Sequence, residues 1–347
     1  MADDIPFDKN LDLVPDTVDQ PMPLVRRIMA DNPGPFTFKG TLSYIIGKGK
    51  VAIVDPGPDD PAHIGALLEA VRNETVTHIF VTHTHRDHSP AVPAIKHATG
   101  ATVYAEGPHR AARPLHIGEQ RRLDHSGDME FRPDVALKDG EVVRGDGWTV
   151  EAVATPGHTA NHMAYAFKEN NVLFAGDHVM GWATSIVAPP DGAMSDYMAS
   201  LAKLAQRGET VYFPGHGPAI KDAGRFVNYY ILHRMAREAS ILHRLGKGAT
   251  DIPTIVRAIY IGIDPRLTGA AGLSVLHAAW LSDTRQPNNL ESSICKAKGG
   301  EVCRTIPQAA MDLLGGMSVS HDHLVEKYLR DGRISDIYEG TGQIQRL

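Results

Sequence analysis

Cysteine is nearly missing from this chain of 347 residues: there are two, Cys295 and Cys303. On a shared helix their separation would hold them about 12 Å apart along the axis, beyond the reach of a disulfide. A reducing compartment fits. Long apolar runs are missing as well, and none approaches the roughly 20 residues needed to span a bilayer. The opening MADDIPFDKNLDLVPDTVDQ has neither the basic start nor the apolar centre of a signal peptide. The expectation is a cytoplasmic protein without a membrane partner. Basic charge is not in excess either. With a net charge of −6, no global field advertises nucleic acid, although a local patch stays open.

What the chain has is histidine, 18 residues of it, within an ordinary soluble composition of 42% apolar and 22% charged residues. Its length allows one large core or two or three smaller ones. Through residue 220, short apolar runs alternate with Gly, Pro and Asp. TLSYIIG (41–47), KVAIVDPG (50–57), THIFVTH (77–83), WTVEAVATPGH (148–158), HMAYAF (162–167), NVLFAGD (171–177) and TVYFPGH (210–216) read as strands. PAHIGALLEAVRN (61–73) and SDYMASLAKLAQRG (195–208) read as helices. Strands mixed with helices, partly in hairpins, predict a layered α/β domain over residues 1–220. Beyond it, Val227, Ile231, Met235, Leu242 and Leu245 fall at helical spacing, with stops at Gly246 and Gly248. Residues 251–262 and 272–281 read as two further helices, and a break near 284–293 opens the final stretch.

The chemistry concentrates in VTHTHRDHSPA (81–91), where His83, His85, Asp87 and His88 crowd together. Two apart at the end of an apolar strand, His83 and His85 are expected to project to one side. Asp87 and His88 follow in a loop that can fold a second pair toward the same spot. One segment could thus give two donors to each of two adjacent ions. A closed structural zinc site needs four ligands and a catalytic one leaves a position for water, so more donors must come from elsewhere. TPGH (155–158) and FPGH (213–216) each place a histidine after Pro-Gly, and FAGD (174–177) places an aspartate after Gly. Glycine lets the backbone turn sharply and approach the site. The set His83, His85, Asp87, His88, His158, Asp177 and His216 contains no thiolate and suits zinc, iron or manganese. Asp55 in VDPG, taken alone, is a turn former.

THTHRDH with PGH, GD and PGH resembles the metallo-β-lactamase-fold hydrolases over most of residues 30–220. The resemblance implies an αββα sandwich with a two-metal site at one edge. On that analogy His83, His85 and His158 hold the first Zn2+, Asp87, His88 and His216 the second, and Asp177 bridges them, with Fe or Mn as alternatives. Asp55 falls where the family often has an aspartate behind the ligands, and Asp87 is the expected catalytic residue that orients the nucleophile. Two dications about 3.5–4 Å apart lower the pKa of a shared water and stabilise a developing oxyanion. Metal-assisted hydrolysis is the implied chemistry.

NPGPFTFKGTLSYIIG (32–47), PGHTANHMAY (156–165) and YFPGHGPAI (212–220) are similar to the LACTB2-like branch, in which a winged-helix-like domain follows the hydrolase. Residues 221–285 are assigned to that small helical domain. The branch includes endoribonucleases acting on single-stranded RNA, and a LACTB2-like hydrolase of that kind is the leading expectation, with a thioesterase or lactonase as its nearest rival. The wider fold includes glyoxalase II-like thioesterases and lactonases acting on small esters or thioesters. A non-catalytic nucleic-acid-binding or interaction module is the third reading, and the intact donor set speaks against it.

Residues 176–197 leave directly from Asp177 and should line the substrate entrance. His178 is expected to point to the opposite face and pack, and His162 either to contact substrate or to hydrogen-bond in the core. Trp182 and Tyr197 could stack on a base or line an acyl pocket. Arg225, Arg234, Arg237, Arg244, Lys247 and Arg257 are interrupted by Asp222, Glu238 and Asp251, so a solvated helix face is their default explanation. Finally, YLRDGRISDIYEGTGQIQRL (328–347) closely resembles the C-terminal end of acyl-CoA dehydrogenases, with Glu339 at the position of their catalytic base. The flavin-binding parts of that family have no counterpart, so Glu339 is assigned no catalysis. Residues 286–347 are read as a helical tail that docks on the hydrolase or on a second subunit, the latter giving a homo-oligomer.

Overall fold

The computed structural model describes residues 5–34, 36–113, 127–188 and 190–246. Most of the expected winged-helix-like domain, the dehydrogenase-like tail with Glu339, and both cysteines lie outside the described residues.

Two sheets form the centre. The first contains β1 (Asp19–Met22), β2 (Val25–Met29), β3 (Leu42–Lys48), β4 (Lys50–Val54), β5 (Thr75–Phe80), β6 (Thr102–Ala105) and β7 (Val135–Ala136), paired in that order. It is antiparallel as far as β4 and parallel beyond it. The second contains β8 (Val142–Arg144), β9 (Thr149–Ala154), β10 (Met163–Phe167), β11 (Val172–Gly176), β12 (Val211–Pro214) and β13 (Ile220–Lys221). These pair in sequence order, and only β11 with β12 is parallel.

Alternation along the strands explains the layers. From β3 and β4, Leu42, Tyr44, Ile46, Ala52 and Val54 face inward and meet Val150, Ala152, Met163, Tyr165 and Phe174 of the second sheet. The intervening Ile45, Val51 and Ile53 face outward, onto α1 (Pro61–Ala70) and α2 (Val92–Thr99) through Leu67 and Ile95. On the far side, Val153, Ala164, Ala166 and Leu173 meet Leu201 and Leu204 of α3 (Met194–Leu204) and Phe226, Val227 and Tyr230 of α4 (Ala223–Gly246). Strands buried on both faces read as continuous apolar runs, which is why the central ones were visible in the sequence. The result is the αββα sandwich that the resemblance implied. The compact unit ends at Arg234, so its packing extends past the change of sequence pattern at residue 221 and includes the first turns of α4. Among the described residues, no helix is long and apolar enough to cross a membrane.

Candidate metal centre

The donors sit in loops at the C-terminal ends of β5, β9, β11 and β12, and so at one edge of the sandwich. The expected extension of β5 to His83 is corrected: the strand ends at Phe80. The Val81 N–H still bonds to Tyr104 O, but the Thr82 N–H turns to the Asp55 carboxylate at 2.7 Å instead of continuing the ladder. Strand alternation therefore does not place His83 and His85 together. A turn anchored on Asp55 does, and Asp55 itself adopts φ +49°.

The structure brings the seven predicted donors into two adjoining groups, His83, His85, His158 and Asp177 in one, Asp87, His88 and His216 in the other. In the first, His85 Nδ1 lies 3.0 Å from His83 Nε2 and 3.1 Å from His158 Nε2. In the second, Asp87 Oδ2 lies 3.1 Å from His216 Nε2 and 3.3 Å from His88 Nε2. Asp177 stands between them. Its Oδ2 is 3.7 Å from His158 Nε2 and 3.3 Å from His216 Nε2, and its Oδ1 is 3.5 Å from His88 Nε2.

Four of the five histidines are held from behind by their other nitrogen. The Thr82 hydroxyl donates to Asp55 and accepts from His83 Nδ1 at 3.0 Å. His88 Nδ1 donates to Asp55 Oδ2 at 3.0 Å, His158 Nδ1 to the Ile186 carbonyl at 2.6 Å, and His216 Nδ1 to the Gly40 carbonyl at 3.2 Å. Each such bond places the proton on the rear nitrogen and turns the lone pair of Nε2 into the cluster. Glycine gives the room. A Cβ on Gly215 would lie 2.4 Å from Asp177 Oδ1 and 2.6 Å from His88 Cε1.

The electrostatics of the two groups differ. Burial, reinforced by the neighbouring imidazoles, pushes His83 well below the usual histidine range and His85 down to about 3. Burial also lowers His158. These three are neutral, with lone pairs free to bind a cation. In the other group burial opposes the charged form of His216, but Asp177 and Asp87 outweigh it and push the imidazole up to about 10. Burial likewise works against Asp87, yet His88 and His216 hold it well below the usual carboxylate range. A divalent cation there would take the place of those imidazole protons. Two atoms call for one directly: His88 Nε2 and Asp177 Oδ1 are buried with no hydrogen-bond partner. Such atoms cost about 1–3 kcal/mol each unless satisfied. Imidazole and carboxylate donors without thiolate fit a hard or borderline divalent ion.

The profile of the metallo-beta-lactamase superfamily matches residues 36–216, a span that contains every donor. The chain belongs to the metallo-beta-lactamase superfamily. Among its relatives, a beta-lactamase-like protein 2 homolog from Caenorhabditis elegans is 36% identical over 222 residues, covering 63% of this chain and 70% of that protein. An atrochrysone carboxyl ACP thioesterase from Claviceps purpurea is 30% identical over 241 residues, covering 69% and 70%. A metallo-beta-lactamase family protein from Thermus thermophilus shares the fold with a TM-score of 0.58 at 23% identity, covering 76% of this chain and 94% of that one. The profile of the acyl-CoA dehydrogenase C-terminal domain matches residues 267–347, in line with the resemblance of the tail. As a superfamily member the chain is a metal-dependent hydrolase.

The remaining predicted residues are distributed around this superfamily centre. His162 is 1% exposed, bonds through Nδ1 to the Thr155 hydroxyl at 2.8 Å, and lies behind the donors with its ring 5.1 Å from that of His83. His178 packs on Tyr197 with ring centroids 4.5 Å apart, and burial takes it down to about 3. Tyr197 is fully buried with its hydroxyl on the His178 carbonyl, so it is a core residue and neither stacks on a base nor lines a pocket. Trp182 stacks on Phe38 at 4.8 Å. Residues 180–185, within the segment expected to line the entrance, are tied to α4 by Tyr230, which bonds the Met180 and Ala183 carbonyls, and by Arg234, which bonds Ser185 O at 2.6 Å. Sequence reasoning missed Thr41, Thr82 and the carbonyls of Gly40 and Ile186. Hydroxyls and main-chain oxygens carry no spacing signal that would have found them.

Proposed function

We propose that this chain is a two-cation hydrolase that cleaves a small ester or thioester bearing an apolar acyl group. The observation that supports two cations is the pair of donor groups sharing Asp177, whose Oδ2 lies 3.7 Å from His158 Nε2 of one group and 3.3 Å from His216 Nε2 of the other. In this reading His83, His85 and His158 hold one cation, Asp87, His88 and His216 the other, and Asp177 serves both, with zinc as the favoured ion. When bound, such cations lower the pKa of water and polarise a carbonyl. Asp87 is 23% exposed against 8% for Asp177, so it is the carboxylate that reaches the solvent side and orients the attacking water.

The substrate class rests on what flanks the donors. Ile186, whose carbonyl holds His158, is 46% exposed, and Phe36, on the loop whose Gly40 carbonyl holds His216, is 68% exposed. Apolar flanks suit an acyl group better than a polyanion. Of the six basic residues weighed for a nucleic-acid face, Arg225 bonds and stacks on Tyr229, and Arg234 holds Ser185 and covers the Tyr197 ring. The thioesterase relative supports the same reading.

Metal analysis combined with a hydrolysis panel tests it. Acyl thioesters or esters should turn over, and both chelation and the substitutions His83→Ala and His216→Ala should abolish turnover. Cleavage of single-stranded RNA in preference to every acyl substrate, with affinity falling steeply with salt, would overturn the acyl reading and favour the nuclease one.

A further inference from the structure

Asn32 and residues 36–41, just before β3, grip two of the three donors of the Asp87 group. The Gly40 carbonyl takes the Nδ1 proton of His216, and the Thr41 hydroxyl lies 3.0 Å from Asp87 Oδ2. The direction of the second bond follows from Asn32. The Thr41 main-chain N–H can only donate, and it does so to Asn32 Oδ1 at 2.9 Å. The other end of that amide is therefore Nδ2, which donates to Thr41 Oγ1 at 2.9 Å. Having accepted from Asn32, the hydroxyl has its one proton to give, and Asp87 Oδ2 receives it. Thr41 is fully buried, so no bulk water competes. This segment is itself fixed by Thr37, whose hydroxyl bonds Asn32 O, by Ala30 N–H on Thr41 O, and by the Leu42 N–H on Gly215 O beside His216.

We infer that Asn32 and Thr41 are positioning residues that set the affinity of the Asp87–His88–His216 group for its cation, by holding the Asp87 carboxylate aimed at the two imidazoles. Neither is one of the seven donors. Their effect passes through Asp87 Oδ2, the oxygen that faces both His88 Nε2 and His216 Nε2. This inference rests on the two-cation reading above. It adds that occupancy of the second group depends on a neutral hydroxyl–amide pair that holds no metal itself.

Stepwise zinc dissociation constants, measured on the full-length chain by competition with chelators of graded strength, test it. Thr41→Val keeps the shape and removes the donor. It should weaken one constant by about 10–100-fold, the range found for groups that orient metal ligands, and leave the other within a few-fold. Thr41→Ser should restore the weakened constant, and Asn32→Ala, which frees the hydroxyl to rotate, should weaken the same one less. In a His83→Ala background, where the other group is crippled, Thr41→Val should weaken the ion that remains. Two unchanged constants in Thr41→Val, or equal weakening of both, would overturn the inference. If Thr41→Val does not fold, an unchanged pair of constants in Asn32→Ala overturns it equally. A wild-type chain that holds one ion or none would instead sink the two-cation reading, so the two failures are told apart.

Discussion

At the scale of single residues, the site is defined as much by absent atoms as by donors. Gly215 is the clearest case, because any Cβ there would push into Asp177 Oδ1 and His88 Cε1. Gly215→Ala should lower the bound metal, by one ion on the two-cation proposal, and cost at least about 100-fold in turnover, the scale of loss that follows a misplacement near 1 Å. Metal content per chain and initial rates check this together. Full metal content at normal rates would mean that Asp177 and His88 have slack the packing does not suggest. Asp55 gives a second prediction. Its two oxygens accept from the Thr82 N–H, the Thr82 hydroxyl and His88 Nδ1. An amide offers one acceptor oxygen where the carboxylate has two, so Asp55→Asn should lower metal affinity by about 10–100-fold, read by chelator competition. Turn formation alone, the role VDPG suggests in isolation, predicts no such change.

At the scale of elements, what the sequence shows depends on what each element buries. β3, β4, β10 and β11 are buried on both faces and stand out as apolar runs, with β5, β9 and β12 largely apolar beside them, so they were legible. β1 (DQPM) and β2 (VRRIM) were not, since Arg26 and Arg27 interrupt the apolar pattern to pair with Glu74 and Asp19. α2 begins with Val-Pro and is eight residues long, too short for periodicity to show, and β7 and β8 are shorter still. The donor set was legible because metal chemistry restricts residue type. Its supports were not, because a carbonyl such as that of Ile186 looks the same whatever side chain bears it. The start of α4 is a case where contacts overrule the pattern, since Phe226 is 6% exposed and packs against Phe7 and Tyr230. Phe226→Ala should therefore destabilise the hydrolase unit by about 3–5 kcal/mol while leaving metal content unchanged. Denaturant midpoints and metal analysis on the same sample test both halves. A stability change below about 1 kcal/mol would place α4 outside the core.

At the scale of the whole molecule, an apolar core between two sheets ends in a rim that gathers three carboxylates, Asp55, Asp87 and Asp177, with five imidazoles. Concentrating so many ionisable groups out of water is costly unless opposite charge is supplied. Protons on His216 and His88 supply part of it, and divalent ions would supply it in their place, bound through the same lone pairs. Folding and metal binding are thus linked through one free-energy balance. A ligand that binds only the folded state adds about 4 kcal/mol at a thousand times its dissociation constant. For a unit of this size that corresponds to a shift of roughly 8–16 °C in the melting midpoint. Exhaustive chelation should lower the hydrolase unit's midpoint by an amount of that order, and restored zinc should return both midpoint and activity. In His83→Ala the chelator-induced drop should shrink to about half, because one donor group remains to respond. An equal midpoint with and without metal would mean that the rim's charges are balanced within the protein alone, and the case for a site built around cations would fail with it.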